Sequence, residues 1–384
     1  MPSMPPTKLG SVVVHPLSFE GPNRLPIEVI QYMYGFLPIK DILALSQTCQ
    51  RFHMAYIGHQ IPILHQAVTR CYSPISDVVK LVCANEPDMR PRAKLLSARN
   101  RAAAHVRRVI QIPEHPILTL DMIIKICSYG EVARKWVEIW PRLRWREDSD
   151  NRRLLRPHEQ VRLRQAIYRS WTYNSLFHHS PFHPSVVEDG TSLISTRPWS
   201  DDPRLSLLRT YSTLDLVQLY EFCDTMHQVI AFDLCPSTTT ILERCPQQIS
   251  AKSIESMSWG EGYPYQRLVL ILEKLRPREL LHLFENTTTK AERMNYLIVD
   301  GGHLRDTPST LQPAIEIVTR GRRFHWRERD KYGKEIGWGI TDIRQPDHYD
   351  FVSLSRDANP DGAWPFPLSD DAAAAADDSD SDGI

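Results

Sequence analysis

Residues 23–56 read NRLPIEVIQYMYGFLPIKDILALSQTCQRFHMAY and carry the clearest structural pattern in the chain. Apolar side chains recur there at three- and four-residue spacing, first at Leu25, Val29, Met33 and Phe36. This spacing predicts an amphipathic helix. Pro26 suits its first position, because a backbone N–H there would lack a helical partner. Pro38 ends it, since the residue before a proline disfavours helical dihedral angles.

Two further short helices are predicted after Pro38. The first carries apolar residues at helical spacing: Ile39, Ile42, Leu43 and Leu45. The next carries Cys49 and Phe52, three residues apart. Ser46 is a suitable N-cap for this third helix, and Gly58 marks its end. A unit of roughly forty residues lies near the lower limit for a self-sufficient core, so the three helices need a further surface against which to bury their apolar side chains.

This segment resembles the F-box. The matching residues are, in order, Leu25, Pro26, Glu28, Ile30, Met33, Leu37, Pro38, Asp41, Ile42, Leu43, Leu45, Cys49, Arg51 and Phe52. They cover about a tenth of the chain. Two positions depart from the commonest form of the motif: Phe52 stands where the family often has tryptophan, and Cys49 follows a threonine rather than a valine.

The resemblance implies a function. In the F-box family the motif packs on a Skp-type adaptor, which links it to the cullin and RING subunits of a ubiquitin ligase, while the rest of the chain selects a protein substrate. The implied adaptor-binding residues are Leu25, Pro26, Ile30, Met33, Leu37, Ile42, Leu43, Leu45, Cys49 and Phe52. A different class also fits the sequence: a helical scaffold that uses these helices for its own folding and never joins a ligase.

Composition limits the class of protein. The chain has 384 residues, of which 42% are hydrophobic, and it carries 46 basic and 46 acidic residues. It can therefore bury a sizeable core, and it has no net charge that would attract nucleic acid or an anionic membrane. Its seven cysteines include no C-x-x-C pair, so we expect neither a disulfide framework nor a zinc site. Lacking an apolar leader or a run of about eighteen apolar residues, the chain is expected in the cytoplasm or nucleus, without a membrane partner.

Four regions are predicted along the chain. They are a flexible N-terminus at 1–22, the F-box at 23–60, a helical substrate-recruiting or scaffold region at 61–345, and an irregular region at 346–384 with an acidic disordered tail from about residue 369. No leucine-rich, WD40 or kelch repeat is present. The predicted fold class is mainly α: the three-helix F-box, then an irregular all-α region with few short strands.

Helical periodicity predicts several elements within 61–345. They lie near residues 62–67, 74–84, 93–110, 119–139, 157–171, 212–230, 265–276 and 277–284. We expect Thr119 to cap its helix and Gly130 to break that helix in two. Ser212 and Asp215 have the spacing of a capping box. A long loop is predicted at 178–203, and loops with at most a small hairpin beyond Pro313.

A second, looser resemblance links the C-terminal region to fungal F-box proteins. It rests on Glu159, Arg162, Ala166, Tyr168 and Arg169, and further along on Trp338, Asp342 and Arg344. The C-terminal region itself contains no recognisable reader module. The sequence therefore leaves the protein substrate unidentified.

A basic helix is predicted at 92–110, with no acidic residue between Arg90 and Pro113. The residues predicted on its outward face are Lys94, Arg101, His105 and Arg108. Lys94, Arg101 and Arg108 are candidate contacts for an acidic protein surface or for nucleic-acid phosphates. A solvated face without a specific partner is the remaining interpretation, and nucleic acid is not the partner we expect.

No catalytic motif is recognised. A G-x-S-x-G elbow, a P-loop, a G-x-G-x-x-G turn and an H-E-x-x-H pair are all missing from the sequence, so we expect a non-catalytic subunit without a cofactor. The histidine-rich residues 177–183 lack a fixed fourth ligand, so no metal site is predicted. Ser379 and Ser381 lie among aspartates and are candidate phosphorylation sites for acidophilic kinases.

Overall fold

The computed structural model of the chain describes residues 25–86, 98–146, 152–179, 202–245, 250–299, 308–322 and 339–341. These ranges contain helices and no β-strand, so the mainly-α prediction is confirmed and the expected short strands do not occur in them. None of the helices in these ranges is both long and apolar enough to cross a lipid bilayer. The predictions for the N-terminus, for most of the loop at 178–203 and for the acidic tail lie outside the described residues.

The helices are numbered in chain order. They are α1 (Ile27–Phe36), α2 (Ile39–Ser46), α3 (Gln50–Gly58), α4 (Gln60–Tyr72), α5 (Ile75–Asn85), α6 (Ala98–Ile110), α7 (Leu120–Arg144), α8 (Pro157–Phe177), α9 (Pro203–Leu208), α10 (Thr213–Gln228), α11 (Thr238–Arg244), α12 (Ala251–Met257), α13 (Gly262–Leu272), α14 (Pro277–Asn286), α15 (Lys290–Val299) and α16 (Leu311–Gly321). A π-helical turn, Val229–Leu234, continues α10.

The chain divides into two compact units, Met1–Ala67 and Val68–Ile384. The division falls within α4, whereas the sequence placed the boundary at residue 60. In the first unit, α1, α2 and α3 share buried side chains, namely Ile30, Tyr34, Ile42, Phe52, Ala55 and Tyr56. Tyr34 joins α1 to α3, because its hydroxyl donates to the Phe52 carbonyl at 3.1 Å. Burial raises the pKa of that hydroxyl to about 12, so it is a donor at neutral pH.

The helix ends of the first unit differ from prediction at two residues. Pro26 lies just before α1 rather than at its first position. Ser46 is the last residue of α2, and α3 begins after Cys49, which is extended. The N-cap predicted at Ser46 was therefore wrong. Its hydroxyl donates instead to the Leu43 carbonyl at 2.7 Å, a local bond of the kind that serine makes within helices.

Helix α8 is the central element of the second unit. It packs against α5, α7, α10 and α16, and every residue from Ala166 to Phe177 is buried. A cluster of buried apolar residues joins its C-terminal half to α6, α9, α10 and α16: Val106, Val109, Tyr173, Leu176, Leu205, Leu208, Leu216, Leu219, Ile315 and Val318. Within this buried stretch of α8, the Arg169 guanidinium pairs with Asp77 and Asp215.

Helix α7 runs unbroken from Leu120 to Arg144, so the break predicted at Gly130 was wrong. A Cβ at Gly130 would lie 2.3 Å from Cδ1 of Tyr72. The glycine therefore permits a close packing contact with the tyrosine ring and does not end the helix. The N-cap at Thr119 is confirmed, since its hydroxyl accepts the Met122 N–H at 3.3 Å.

For the C-terminal part of the second unit, one prediction was confirmed and another was wrong in part. Ser212 and Asp215 form the predicted capping box, each accepting the other's backbone N–H at 3.1 Å. The prediction of loops beyond Pro313 was wrong in part, because α16 continues from Leu311 to Gly321. Pro313 lies in the first turn of this helix, where a missing N–H is tolerated. The aromatic residues expected beyond it, from Phe324 to Trp338, lie outside the described residues. Ile340 is fully buried.

Candidate functional site

Helix α1 has two apolar faces. One face is buried and contains Ile30 and Tyr34. The other contains four exposed apolar or aromatic residues at positions i, i+3, i+4 and i+7, which lie in one row along the helix; we call this row the α1 stripe, and it consists of Val29, Tyr32, Met33 and Phe36. Tyr32 is 69% exposed and Phe36 63%. Their rings lie 4.8 Å apart in an edge-to-face arrangement, so the two side chains contact each other along the helix.

The first unit has two further exposed apolar side chains near its N-terminal end. Ile27 in the first turn of α1 is 43% exposed, and Leu43 in α2 is 44% exposed. Glu28 is the single charged residue of α1. A partner that covered the α1 stripe would therefore bury much apolar area and desolvate few charges, and the desolvation of charges is what most often opposes association.

The ten residues predicted to contact an adaptor fall into three groups. Ile30, Ile42 and Phe52 are buried and hold the first unit together. The half-buried residues are Leu25, Leu37, Leu45 and Cys49, and the exposed ones are Pro26, Met33 and Leu43. The sequence prediction did not include Ile27, Val29, Tyr32 and Phe36. Val29 and Phe36 belong to the periodic apolar run, so the excess of apolar residues over available core was the signal that could have identified them.

Of the three candidate basic contacts, the structure describes the side chain of Arg108 alone. Lys94 lies outside the described residues, and Arg101 lies in α6 with its side chain undescribed. Arg108 donates to the carbonyls of Cys83 at 3.0 Å and Glu86 at 2.9 Å. These carbonyls lie at the C-terminal end of α5, where arginine side chains often satisfy the last carbonyl groups. Arg108 thus joins α6 to α5.

His105 was predicted on the outward face of α6, and this was wrong. Its side chain is buried, and its Nε2 lies 3.2 Å from the Ala84 carbonyl. The ring also accepts a hydrogen bond from Arg108 at Nδ1, at 3.0 Å. The apolar neighbours Val106 and Val109 place this side of α6 against the core, which is why the histidine turns inward.

The histidines at the end of α8 have partners within the fold. Nε2 of His178 accepts the Thr310 N–H at 3.4 Å, and Nε2 of His179 lies 2.5 Å from the Lys274 carbonyl. Burial lowers the pKa of His178 well below its ordinary value, so its imidazole is neutral. Among the described residues, no group of three or more histidine, cysteine or acidic side chains could hold a metal ion. Ser379 and Ser381 lie outside the described residues.

Comparison with known proteins adds no relative. No family model, curated protein or solved structure matches this chain. Two features of the first unit bear on function: the residues from Leu25 to Phe52 that resemble an F-box, and the exposed α1 stripe.

Proposed function

We propose that this chain is a substrate-recruiting subunit of a Skp–cullin–F-box type ubiquitin ligase, and that the α1 stripe is part of its adaptor-binding surface. The observation that carries the proposal is the second apolar face of α1. A helix that is apolar on two faces is typical of an element shared between two bodies. The F-box resemblance implies a Skp-type adaptor as the second body.

The division of the ten predicted residues refines the proposed contact. Ile30, Ile42 and Phe52 support the surface from behind, because they are buried. Met33 and Leu43 reach the partner directly, together with Ile27, Val29, Tyr32 and Phe36. Full burial of a large apolar side chain contributes about 1.5–3 kcal/mol. Several such side chains at the centre of an interface of about 1,200–2,000 Å² are enough to dominate binding.

The second unit is then the part that selects the protein substrate. In this proposal the chain has no catalytic residue and no cofactor, and the cullin and RING subunits reach it through the adaptor. Its contribution to ubiquitin transfer is proximity, because a held substrate lysine reacts at a high effective concentration. Such a ligase works in the cytoplasm or the nucleus.

The test is adaptor binding by the full chain and by two variants. Met33→Glu with Phe36→Glu places two charges on the α1 stripe. Met54→Glu is the matched control, because Met54 is 60% exposed in α3 of the same unit and is not part of the proposed surface. Each protein would be titrated with the Skp-type adaptor of the same organism. We expect a loss of affinity of about a hundredfold or more for the double variant, and little change for Met54→Glu.

Two outcomes separate the alternatives. A wild-type chain that fails to bind the adaptor in vitro, and that recovers neither adaptor nor cullin when purified from its own cells, would favour the helical scaffold. Equal binding by the wild type and the double variant would support adaptor binding but would show that the interface lies away from the α1 stripe. Circular dichroism of all three proteins would establish that the variants keep their helix content.

A further inference from the structure

The π-helical turn Val229–Leu234 is held by side chains from three later helices. The Tyr265 hydroxyl donates to the Ala231 carbonyl at 2.9 Å, and Arg244 donates to the Phe232 carbonyl at 2.8 Å. Arg293 donates to the carbonyls of Asp233 at 3.1 Å and Leu234 at 2.6 Å. The turn is thus a fixed platform. π-Helical turns occur frequently at functional sites.

Three arginines surround the single carboxylate of this turn. Arg146, which lies two residues beyond the end of α7, donates to Asp233 Oδ2, and Arg244 lies 3.7 Å from Oδ1 of the same carboxylate. Both guanidinium carbons lie 5.7 Å from the centre of the Phe232 ring. With Arg293, these groups form a cluster that carries an excess of two positive charges; we call it the arginine platform, and it consists of Arg146, Phe232, Asp233, Arg244 and Arg293.

The platform has donor groups available at its surface. An arginine side chain carries five N–H donors. Arg146 directs one of them to Asp233, and Arg244 directs one to the Phe232 carbonyl. Their side chains are 26% and 46% exposed. Both guanidinium groups pair with Asp233, so the same carboxylate restrains the two arginine side chains.

We propose that the arginine platform binds a phosphate monoester, carried either by a phosphorylated side chain of a protein segment or by a free small phosphate. The excess of two positive charges matches the charge of nearly two that a phosphate monoester carries at neutral pH. Phosphate oxygens accept bidentate hydrogen bonds from guanidinium groups. The Phe232 ring supports the guanidinium groups by cation–π contact. This inference does not rest on the ligase proposal, because it concerns a different surface from the α1 stripe and its test needs no adaptor.

The experiment uses the full chain and two probes at low salt, where the screening of exposed charges is weak. One probe is a blocked Gly-phosphoserine-Gly peptide, with the unphosphorylated peptide as its blank; the other is inorganic phosphate. Binding would be measured by calorimetric titration for the wild type, Arg244→Gln and Arg146→Gln. The matched control is Arg142→Gln. Arg142 is an exposed arginine in the last turn of α7, four residues before Arg146, and is not part of the arginine platform. We expect both platform variants to bind the phosphopeptide roughly tenfold more weakly and Arg142→Gln to bind as the wild type does.

The outcomes are distinct. Tighter binding of the phosphopeptide than of phosphate identifies a protein segment as the source, and equal affinity identifies a small phosphate; both support the site. No binding of either probe to the wild type overturns the proposal, as does an equal loss in Arg142→Gln, which indicates nonspecific attraction. Arg244→Lys keeps the charge but removes the bidentate geometry, so it should bind more weakly than the wild type in a protein whose melting temperature is unchanged.

Discussion

Arg169 of α8 donates a hydrogen bond to Asp77 of α5 at 3.1 Å, although 92 residues separate them. The same guanidinium lies 2.9 Å from Asp215 Oδ1, near the start of α10, and 4.4 Å from the centre of the Tyr211 ring. The Arg169 and Asp77 side chains are nearly inaccessible to solvent. One arginine therefore ties three helices together inside the second unit, and its removal would leave the carboxylates of Asp77 and Asp215 without their cationic partner.

Replacing Arg169 by methionine should lower the free energy of unfolding by about 3–5 kcal/mol, because a buried charge that loses its partner is strongly destabilising. Urea unfolding followed by circular dichroism would measure this change. Arg142→Met is the control, since an exposed arginine should matter by less than about 0.5 kcal/mol. A loss below about 1 kcal/mol for Arg169→Met would contradict the buried ion-pair arrangement.

Because of the Asp215 carboxyl, we expect the free energy of unfolding to depend on pH. Burial alone would raise the pKa of Asp215. The charge and hydrogen bond of Arg169 and the hydrogen bonds of Ser212 lower the pKa by more than burial raises it, so the folded pKa lies below the ordinary value. Its contribution is therefore fully present above the unfolded pKa of about 3.9 and is lost as pH falls through the folded pKa. The difference in unfolding free energy between wild type and Asp215→Asn should shrink between about pH 5 and pH 2. A difference that stays constant over this range would refute the assignment.

Two glycines provide a matched pair of alanine substitutions within helices. Gly130→Ala would place a Cβ 2.3 Å from the Tyr72 ring, and such overpacking costs about 1–3 kcal/mol. Gly58→Ala, at the last residue of α3, meets no atom within 4 Å and should be neutral or stabilising by up to about 1 kcal/mol. Thermal unfolding of the two variants would compare them directly. Equal effects would show that backbone propensity, rather than the tyrosine contact, determines the outcome.

Substitutions of Ile30 and Met33 should distinguish the buried face of α1, which stabilises the first unit, from the exposed face proposed to contact a partner. Ile30 is fully buried and Met33 is 38% exposed. Ile30→Ala should therefore lower the unfolding free energy by about 2–5 kcal/mol, whereas Met33→Ala should change it by less than about 1 kcal/mol. Chemical denaturation of both variants tests this without any partner. A large stability loss in Met33→Ala would indicate that the α1 stripe is part of the core of this chain.

Local signals in the sequence predicted local structure well. The capping groups at Thr119 and Ser212 were identified because an N-cap depends only on residues two or three positions ahead. Pro157 and Pro277 likewise begin α8 and α14 as expected. The existence and type of these helices followed from apolar periodicity alone, and so did the excess of apolar residues on α1.

Long-range packing determined what the sequence could not reveal. Gly130 was predicted to break its helix because local sequence does not show the Tyr72 ring that the glycine accommodates. That ring belongs to a helix almost sixty residues earlier. His105 and Arg108 looked like a solvated stripe because their acceptors, the last carbonyls of α5, lie more than twenty residues away. The arginine platform is the clearest case: Arg146, Asp233 and Arg244 have no common motif, and only the fold brings them together.

The enclosure of α8 also has a consequence for the order in which the protein is made. Two of the helices that cover it, α5 and α7, precede it in the chain, whereas α10 and α16 follow it. Tyr173 donates to the Thr310 carbonyl just before α16, so this part of the cover over the C-terminal end of α8 is missing until residues 311–321 have been synthesised. A nascent or prematurely terminated chain would expose the aromatic end of α8, which makes it a target for chaperones and for quality-control proteolysis.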